Sequence, residues 1–411
     1  GDFKFEDVSK KSKISQSPGW TWGITMADVN ADGYLDIYVC RNGESMNPSD
    51  RKNKLFINNK DLTFTESAAE YGIADKGFSS QAVFFDMDND GDLDMYLVNQ
   101  IPDSRLFKRY KNIPKKRYQL YKDKVYKNEG GKFKEVSEDI GLGDGYTYGL
   151  SVSASDLNND GWTDLYISND YDDPDFLYYN NGDGTFRNVI LDKVKHISRF
   201  SMGTDTGDIN NDGYPDIAVL NYEPHNVFLW KNITNQNNNW LKVKLEGIDS
   251  NRQGIGSWIE ISINGNKQYN YTLCGEGFLG QNSAYEFFGL GAANSIDYIK
   301  VSWLSGQVDV IQTPPINSHI TIIEGGELGI NENQDNNLLV YPNPGKKFHI
   351  KINNFSEKMV LFVTDVTGKV LLNSSQQSSE MSVDLSDFDS GVYFLNIFNQ
   401  SQILTKKLII N

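Results

Sequence analysis

Short runs of apolar residues, separated by clusters of Asn, Asp and Gly, recur along the first half of the chain. In "VYKNEGGKF" at 125–133 and "FLYYNNGDGTF" at 176–186, a tight turn lies between two such runs. This alternation predicts short antiparallel β-strands joined by hairpin turns. Apolar stripes with helical spacing are few, whereas the chain contains 22 Tyr, 22 Phe and 36 Gly. The pattern therefore predicts an all-β protein.

An internal repeat organises this region. Four segments read D-x-(D/N)-x-D-G-x-x-D and lead directly into an apolar run; they begin at Asp28, Asp86, Asp156 and Asp208. Copies of a second motif, F-x-x-(V/S)-(S/A), begin at Phe5, Phe64, Phe133 and, more weakly, Phe186. Each unit spans roughly 50–70 residues and offers about four short strands, which is typical of the blades of a β-propeller.

The acidic segments have the composition of calcium loops. Alternate residues of an extended loop point the same way, so oxygens at positions 1, 3, 5 and 9 can converge on one cation. The Gly at position 6 allows a sharp turn, and position 7 would supply its backbone carbonyl. Only oxygen ligands are offered, which favours Ca²⁺ over zinc or copper. The predicted metal-binding residues are Asp28, Asn30, Asp32, Tyr34, Asp36, Asp86, Asp88, Asp90, Asp92, Asp94, Asp156, Asn158, Asp160, Trp162, Asp164, Asp208, Asn210, Asp212, Tyr214 and Asp216.

Charge supports this interpretation. The four segments carry 14 aspartates in a chain whose net charge is −16. Carboxylates this close repel one another unless a cation neutralises them. We therefore expect about four structural Ca²⁺ sites, with metal-free surface turns as the alternative. The segments are not EF-hands, because a Glu at position 12 is absent and the sequence that follows is β-rich. The acidic balance also argues against a nucleic-acid partner.

Residues 1–238 resemble the FG-GAP (integrin-α-like) repeat family, also called VCBS repeats. The resemblance rests on the four acidic motifs and implies a β-propeller with Ca²⁺ in inter-strand loops. Propellers of this family usually close with about seven blades, whereas four units are found here. Either some blades have lost their acidic loops, or blades of a longer precursor are missing from this sequence. An open ring would leave strand edges unpaired and apolar surface exposed.

Residues 239–325 lack an acidic loop and predict a small β domain. The pieces N-R-x-G-I-G, "GFLGQNS", "FFGLG" and "VSWLSG" resemble the ASPIC and UnbV domain. Glu276, Gln281 and Asn282 could line a binding groove. The alternative is a tight Gly-rich turn packed on Trp258 or Trp303.

A polar linker at 326–335 precedes a C-terminal β-unit at 336–411, which predicts an Ig-like sandwich. Y-P-N-P, D-x-x-G-K and S-G-V-Y, followed by Lys406-Lys407, resemble the type A C-terminal sorting domain of the type IX secretion system. The resemblance implies a Bacteroidetes-type host, recognition of this domain by the secretion machinery, and export to the cell surface, where the domain is cleaved. An unrelated Ig-like adhesion module is the alternative.

Other features add less. No apolar run reaches the roughly 20 residues that span a bilayer, and the N-terminus lacks the features of a signal peptide. Cys40 and Cys274 could pair with each other, but two unpaired cysteines are the favoured prediction. The basic, Tyr-rich segment 101–127 could contact an anionic surface polymer or be a solvated insertion. Segment 169–175, "NDYDDPD", could add metal ligands or form an exposed turn.

Together these features predict a secreted, calcium-binding protein of the cell surface. Its folds are β-propeller-type repeats, a small β domain and an Ig-like sandwich. The favoured function is adhesion or binding of a glycan or protein ligand, without catalysis. The alternative is a polysaccharide lyase or hydrolase on a propeller scaffold, although no catalytic residues are identified.

Overall fold

A computed structural model describes most of the chain, and two compact units are distinguished, at 1–329 and 330–411. The described residues are 4–14, 19–43, 47–101, 119–142, 147–171, 173–222, 226–234, 238–275, 277, 283–326, 338–341, 345–352, 359–365, 369–376, 378–399 and 402–410. The protein is almost entirely β, as the sequence predicts. Two one-turn helices, α1 (Ala68–Tyr71) and α2 (Ile190–Lys193), interrupt the strands of the first unit.

Four antiparallel sheets form the repeats, and in each sheet the strands lie side by side in chain order. Sheet 1 contains β1 (Trp20–Ala27), β2 (Asp36–Asn42), β3 (Lys54–Asn58) and β4 (Phe64–Glu66). Sheet 2 contains β5 (Ser79–Phe85), β6 (Asp94–Asn99), β7 (Lys124–Asn128) and β8 (Phe133–Glu135). Sheet 3 contains β9 (Gly149–Ser155), β10 (Asp164–Asn169), β11 (Phe176–Asn180) and β12 (Phe186–Asn188). Sheet 4 contains β13 (Ser201–Gly207), β14 (Asp216–Asn221) and β15 (Phe228–Trp230).

The sheets stack through their first strands. β1 contacts β5, β5 contacts β9, and β9 contacts β13. Side-chain hydroxyls join these strands: Thr25 Oγ1 donates to the Ala82 carbonyl over 2.7 Å, and Ser80 Oγ donates to the Gly149 carbonyl over 2.8 Å. The order is that of propeller blades, and the ring is not closed. Apolar side chains are exposed in both terminal sheets, for example Trp20 at 65% and Leu229 at 59%, as expected of an open array.

The repeat cores lie between neighbouring sheets. Every residue of β5 and β6 is buried, because both faces of sheet 2 are covered. This explains why each of these strands contains an uninterrupted apolar run, AVFF in β5 and MYLV in β6, without alternating polar residues. One cluster around Phe84 and Leu97 joins sheets 1 and 2, and another around Val83 and Ile167 joins sheets 2 and 3.

The middle segment, residues 238–326, completes the first unit with two further sheets. One sheet has the order β19-β16-β22 and the other the order β18-β17-β20-β21. Their shared core includes Leu241, Ile259 and Trp303. The strands are β16 (Asn239–Glu246), β17 (Trp258–Ile263), β18 (Asn266–Tyr271), β19 (Glu286–Gly291), β20 (Tyr298–Ser302), β21 (Val308–Gln312) and β22 (Ser318–Ile323).

The second unit is a two-sheet sandwich with a core around Phe348 and Leu395, in agreement with the predicted Ig-like architecture. Strand β25 pairs with β26, and residues 366–368 between them lie outside the described residues. The strands are β23 (Leu338–Tyr341), β24 (Lys347–Ile352), β25 (Met359–Asp365), β26 (Val370–Gln376), β27 (Glu380–Asp384), β28 (Gly391–Asn399) and β29 (Gln402–Ile410).

Candidate metal centre

The four acidic segments occupy the same place in the four sheets. Each connects the first strand of a sheet to its second strand, so all four lie at one end of the array. They are named loop 1 (28–36), loop 2 (86–94), loop 3 (156–164) and loop 4 (208–216). The repeated sequence therefore specifies a repeated position, as the motif spacing predicts.

The position-1 aspartate organises each loop through the backbone. In loop 2, Asp86 Oδ2 accepts the Gly91 N–H over 2.9 Å, and Oδ1 accepts the Asp90 N–H over 3.3 Å. The equivalent bonds recur in the other three loops. Gly91 has a φ of +90°, a conformation that disfavours residues with a Cβ. The turn that gathers the carboxylates thus requires this glycine.

The position-9 aspartate closes each loop onto the third strand. In loop 2, Asp94 Oδ2 accepts the Met87 N–H over 3.0 Å, and Oδ1 accepts the Asn128 N–H over 2.7 Å. The same pair of bonds is made by the position-9 aspartates of the other loops, with partners Asn58, Asn180 and Asn232. Sequence reasoning missed these asparagines. The available signal was an Asn that recurs where the third strand ends. It is the last residue of β3, β7 and β11, and it lies two residues after β15.

Burial makes these carboxylates costly to ionise. Burial, reinforced by neighbouring carboxylates, raises the pKa of Asp86 to about 7 and that of Asp94 to about 8. In loop 1 burial raises the pKa of Asp36 to about 7, and in loop 3 it raises that of Asp156 to about 7. The physical requirement at these positions is a nearby positive charge, which would restore the ionised form.

Loop 2 meets the geometric test for a hard cation best. Asp86, Asp88 and Asp94 each offer a carboxylate oxygen, and these three oxygens lie within 4.8 Å of one another. Two buried oxygens, Asp88 Oδ1 and Asp92 Oδ1, have no hydrogen-bond partner in the described part of the chain. Lys127, whose side chain is 32% exposed, contacts the other Asp88 oxygen. The donor set therefore fits an oxygen-seeking cation such as Ca²⁺.

The side chains at positions 3 and 5 also accept hydrogen bonds from backbone N–H groups of their own loop. The position-5 carboxylate accepts the N–H of position 7, as in the 3.0 Å bond from Tyr34 to Asp32. In loops 1, 3 and 4 the position-3 Asn side-chain oxygen accepts the N–H of position 5, as in the 2.9 Å bond from Asp160 to Asn158. Each loop therefore gathers its own predicted residues, while the loops remain separate sites.

The middle segment packs against all four loops. The Tyr271 hydroxyl donates to the Asp28 carbonyl of loop 1 over 3.0 Å. The Tyr269 ring lies beside Gly91 of loop 2. The contacts with loops 3 and 4 are made by Gly289, whose N–H donates to Asp156, and by Lys242, whose ammonium lies 2.6 Å from an Asp208 oxygen. Sequence reasoning did not identify this contact surface.

Other predicted features are resolved in part. Cys40 is buried, Cys274 is half-buried, and both are free thiols, as predicted. Glu276, Gln281 and Asn282 lie outside the described residues, as does most of segment 101–127. Neither helix in the described ranges has the length and apolarity needed to cross a bilayer.

Three family models match the chain. The FG-GAP-like repeat matches residues 45–97 and 156–219, ASPIC and UnbV matches 247–328, and the secretion system C-terminal sorting domain matches 339–411. The chain therefore contains FG-GAP-like repeats, an ASPIC and UnbV segment and a C-terminal sorting domain. The sorting domain of the type IX secretion system indicates secretion to the cell surface or extracellular space and interaction with the secretion machinery.

Curated relatives match only part of this chain. Cartilage acidic protein 1 of Homo sapiens is 25% identical over 216 residues, which is 50% of this chain and 31% of the relative. Integrin alpha-PS3 of Drosophila melanogaster is 38% identical over 85 residues, which is 18% of this chain and 8% of the relative. The chain thus spans at most about a third of the length of these relatives.

Similarity to solved structures is remote. PorZ, a surface component of the type IX secretion system of Porphyromonas gingivalis, gives a TM-score of 0.26 at 10% identity, covering 94% of this chain and 59% of PorZ. The V. cholerae biofilm matrix protein Bap1 gives a TM-score of 0.32 at 11% identity, covering 96% of this chain and 66% of Bap1. Similarity at these scores establishes neither fold nor function.

Proposed function

We propose that this secreted FG-GAP repeat protein binds structural Ca²⁺ in loops 1–4 and serves in adhesion or ligand binding at the cell surface. The observation that carries the calcium proposal is the convergence of three carboxylate oxygens of loop 2 within 4.8 Å. The equivalent backbone bonds in the other loops support the same role for them. The residues proposed to hold the ions are those at positions 1, 3, 5, 7 and 9 of each loop.

In this proposal Ca²⁺ supplies charge neutralisation and no reaction chemistry. The residues of the chain shape the loop: Gly91 allows the turn, and Asp94, the first residue of β6, bonds to Asn128 of β7. A loop fixed in this way holds the first three strands of its sheet in register. Calcium is therefore proposed to stabilise the repeats against unfolding, by about 2.7 kcal/mol for each site occupied at 100 times its Kd.

Native mass spectrometry of the purified full chain, with and without calcium, tests this part of the proposal. We expect about four bound ions and a melting temperature that falls on chelation. A chain that binds no calcium, with the same melting temperature in chelator, would contradict the proposal. Magnesium at equal concentration is the matched control, since its smaller, rigid octahedral shell fits a flexible loop poorly.

The ligand surface is proposed to lie at the other end of the array. Loops 1–4 are contacted by the middle segment, so the ligand is proposed to bind at the opposite end of the sheets, where Tyr148, Tyr171 and Phe200 lie. Aromatic rings line up there across two sheets. Tyr148 and Tyr171 lie 4.9 Å apart, and Tyr171 and Phe200 lie 6.1 Å apart, each half-buried. Such a row can stack on sugar rings or pack on a protein partner.

A glycan-array screen and a pull-down of host surface proteins test ligand binding. We expect Tyr148→Ala to weaken binding by about tenfold, because an aromatic contact contributes about 1 kcal/mol or more. Tyr34→Ala, at the opposite end and 43% exposed, is the matched control. Equal loss in both variants would place the ligand elsewhere. A reducing-sugar assay on any bound polysaccharide tests the alternative of a lyase or hydrolase.

A further inference from the structure

Loop 4 differs from the other loops in having a buried lysine against its first aspartate. Lys242, on β16 of the middle segment, places its ammonium 2.6 Å from Asp208 Oδ2. The two side chains are 3% and 0% exposed, so water screens the pair poorly. Solvent therefore screens the positive charge of Lys242 only weakly from the carboxylates of loop 4.

Aromatic rings hold Lys242 in this position. Its ammonium lies 5.4 Å from the centre of the Trp240 ring, 5.8 Å from that of Tyr285 and 5.6 Å from that of Phe287. Rings within about 6 Å of an ammonium attract it through their negative faces. The lysine is thus packed as part of the domain interior and is not a surface side chain resting on the loop.

Loop 3 offers an internal comparison. Its Asp156 Oδ2 is the atom equivalent to Asp208 Oδ2, and each accepts the position-6 glycine N–H, over 2.7 Å and 2.8 Å respectively. The second donor to Asp156 is the neutral backbone N–H of Gly289, at 3.0 Å. The middle segment therefore contacts both loops at the same oxygen, with a neutral group in loop 3 and with a cation in loop 4.

The other lysines near the four loops are less buried than Lys242. Lys60 lies 3.5 Å from an Asp32 oxygen of loop 1 and is 49% exposed, and Lys127 beside loop 2 is 32% exposed. Lys231, a second lysine at loop 4, lies 3.6 Å from Asp212 and is 62% exposed. These side chains are partly or largely exposed and can move into solvent when a metal ion arrives. Lys242 has no such route without opening the contact between the middle segment and the repeats.

The charge balance of the loops differs accordingly. Loop 4 has three aspartates and loop 2 has five, so the buried ammonium of Lys242 removes a third of the formal charge of loop 4. Cation affinity of such loops depends strongly on the number of charged ligands. Resting on the proposed calcium function, we propose that Lys242 takes over part of the role of Ca²⁺ in loop 4. Loop 4 is then the weakest cation site, and it anchors the middle segment through an ion pair.

A calcium titration of the full chain, followed by native mass spectrometry, tests the inference with Lys242→Met. Methionine keeps the apolar stem and the volume while it removes the charge. For the natural chain we expect three tightly bound ions and a fourth that is weaker by roughly tenfold or more. In Lys242→Met the fourth ion should tighten by about the same factor. Four equal sites in the natural chain, or an unchanged titration in a folded variant, would overturn the inference.

Two further variants test the inference even if Lys242→Met does not fold. Asp160→Asn in loop 3 and Asp212→Asn in loop 4 each neutralise the position-5 carboxylate. We expect Asp160→Asn to remove one of the tight ions and Asp212→Asn to remove the weak one. Loss of a tight ion from Asp212→Asn would contradict only the inference about Lys242. If neither the natural chain nor any variant binds calcium, the proposed calcium function itself is contradicted.

Discussion

At the scale of single residues, Asp94 shows why a carboxylate of loop 2 has a structural role as well as a proposed metal-binding role. It is fully buried, and both of its oxygens accept backbone N–H groups, from Met87 and Asn128. These bonds tie the start of loop 2 to the end of β7. The burial that allows this also raises the pKa of Asp94 to about 8. The residue is therefore needed for the fold and is unfavourable as an isolated anion.

Asp94→Asn is expected to destabilise the first unit by about 2–3 kcal/mol, because the two N–H groups face different oxygens of Asp94 and the NH2 group of Asn would face one of these donors. The proposed loop 2 ion should also be lost. Chemical denaturation and calcium counting measure the two effects. Asp139→Asn is the matched control, since Asp139 is exposed and lies outside the four loops. A control that is destabilised as much as Asp94→Asn would count against these roles.

Asn180 joins two sheets and is a second residue with an individual effect. Its side-chain N–H donates over 2.8 Å to the Met87 carbonyl of loop 2, and it is 2% exposed. Asn180→Ala leaves that carbonyl unsatisfied and should cost about 1–3 kcal/mol of unfolding free energy. Its neighbour Asn181 is exposed, and its side chain donates to the Thr185 hydroxyl, so Asn181→Ala should cost less than about 0.5 kcal/mol. Equal effects in denaturant melts would contradict this role of Asn180.

At the scale of elements, the sequence predicted the strands and loops because both depend on local chemistry. The acidic motif and its glycine define the turn of each loop, and the apolar run after it defines a buried strand. The fourth strands follow from the second motif, since Phe64, Phe133 and Phe186 each begin one. Its first copy, at 5–9, forms no strand in the described residues. A strand needs a partner, and a local motif cannot specify one.

The loops predict an unusual pH dependence for the calcium-free protein. Burial raises the pKa of Asp36, Asp86 and Asp156 from 3.8 to about 7. The folded chain therefore binds more protons than the unfolded chain between about pH 4 and pH 7. Ionisation costs stability in this window: the penalty is absent below pH 4 and complete above the raised pKa values. In chelator the melting temperature should thus fall as pH rises from 5 to 8.

Calcium should reverse the trend, because it favours the ionised carboxylates and competes with protons. Thermal melts at pH 5 and pH 8 should show the larger calcium effect at pH 8, with each kcal/mol worth about 2–4 °C. Asp94→Asn, which removes one of the titrating groups, should flatten the dependence in chelator. A calcium effect that is larger at pH 5 would contradict proton–metal competition in the loops.

At the scale of the whole molecule, contacts between distant parts of the sequence decide what local patterns cannot. Gly289 donates to Asp156 across 133 residues, and Lys242 contacts Asp208 across 34. No sequence motif in either partner indicates the other, so the packing of the middle segment on the loops could not be predicted. The motif count found four units where about seven are usual in the family, and it did not decide whether the ring closes; the structure shows that the ring is not closed. Domain limits at 238 and 325 remain predictions, since the repeats and middle segment form one compact unit.

The C-terminal sandwich gives the last prediction at this scale. The sorting-domain match at 339–411 coincides with a unit that has its own core around Phe348 and Leu395, separate from the repeats. Removing residues 336–411 should therefore leave the first unit folded, with its calcium-dependent melting temperature unchanged. In the secreting host the truncated chain should accumulate in the periplasm, and fractionation followed by immunoblotting measures this. Surface display of the truncated chain would show that the tail is not the export address. A misfolded first unit would instead show that the two units depend on each other for stability.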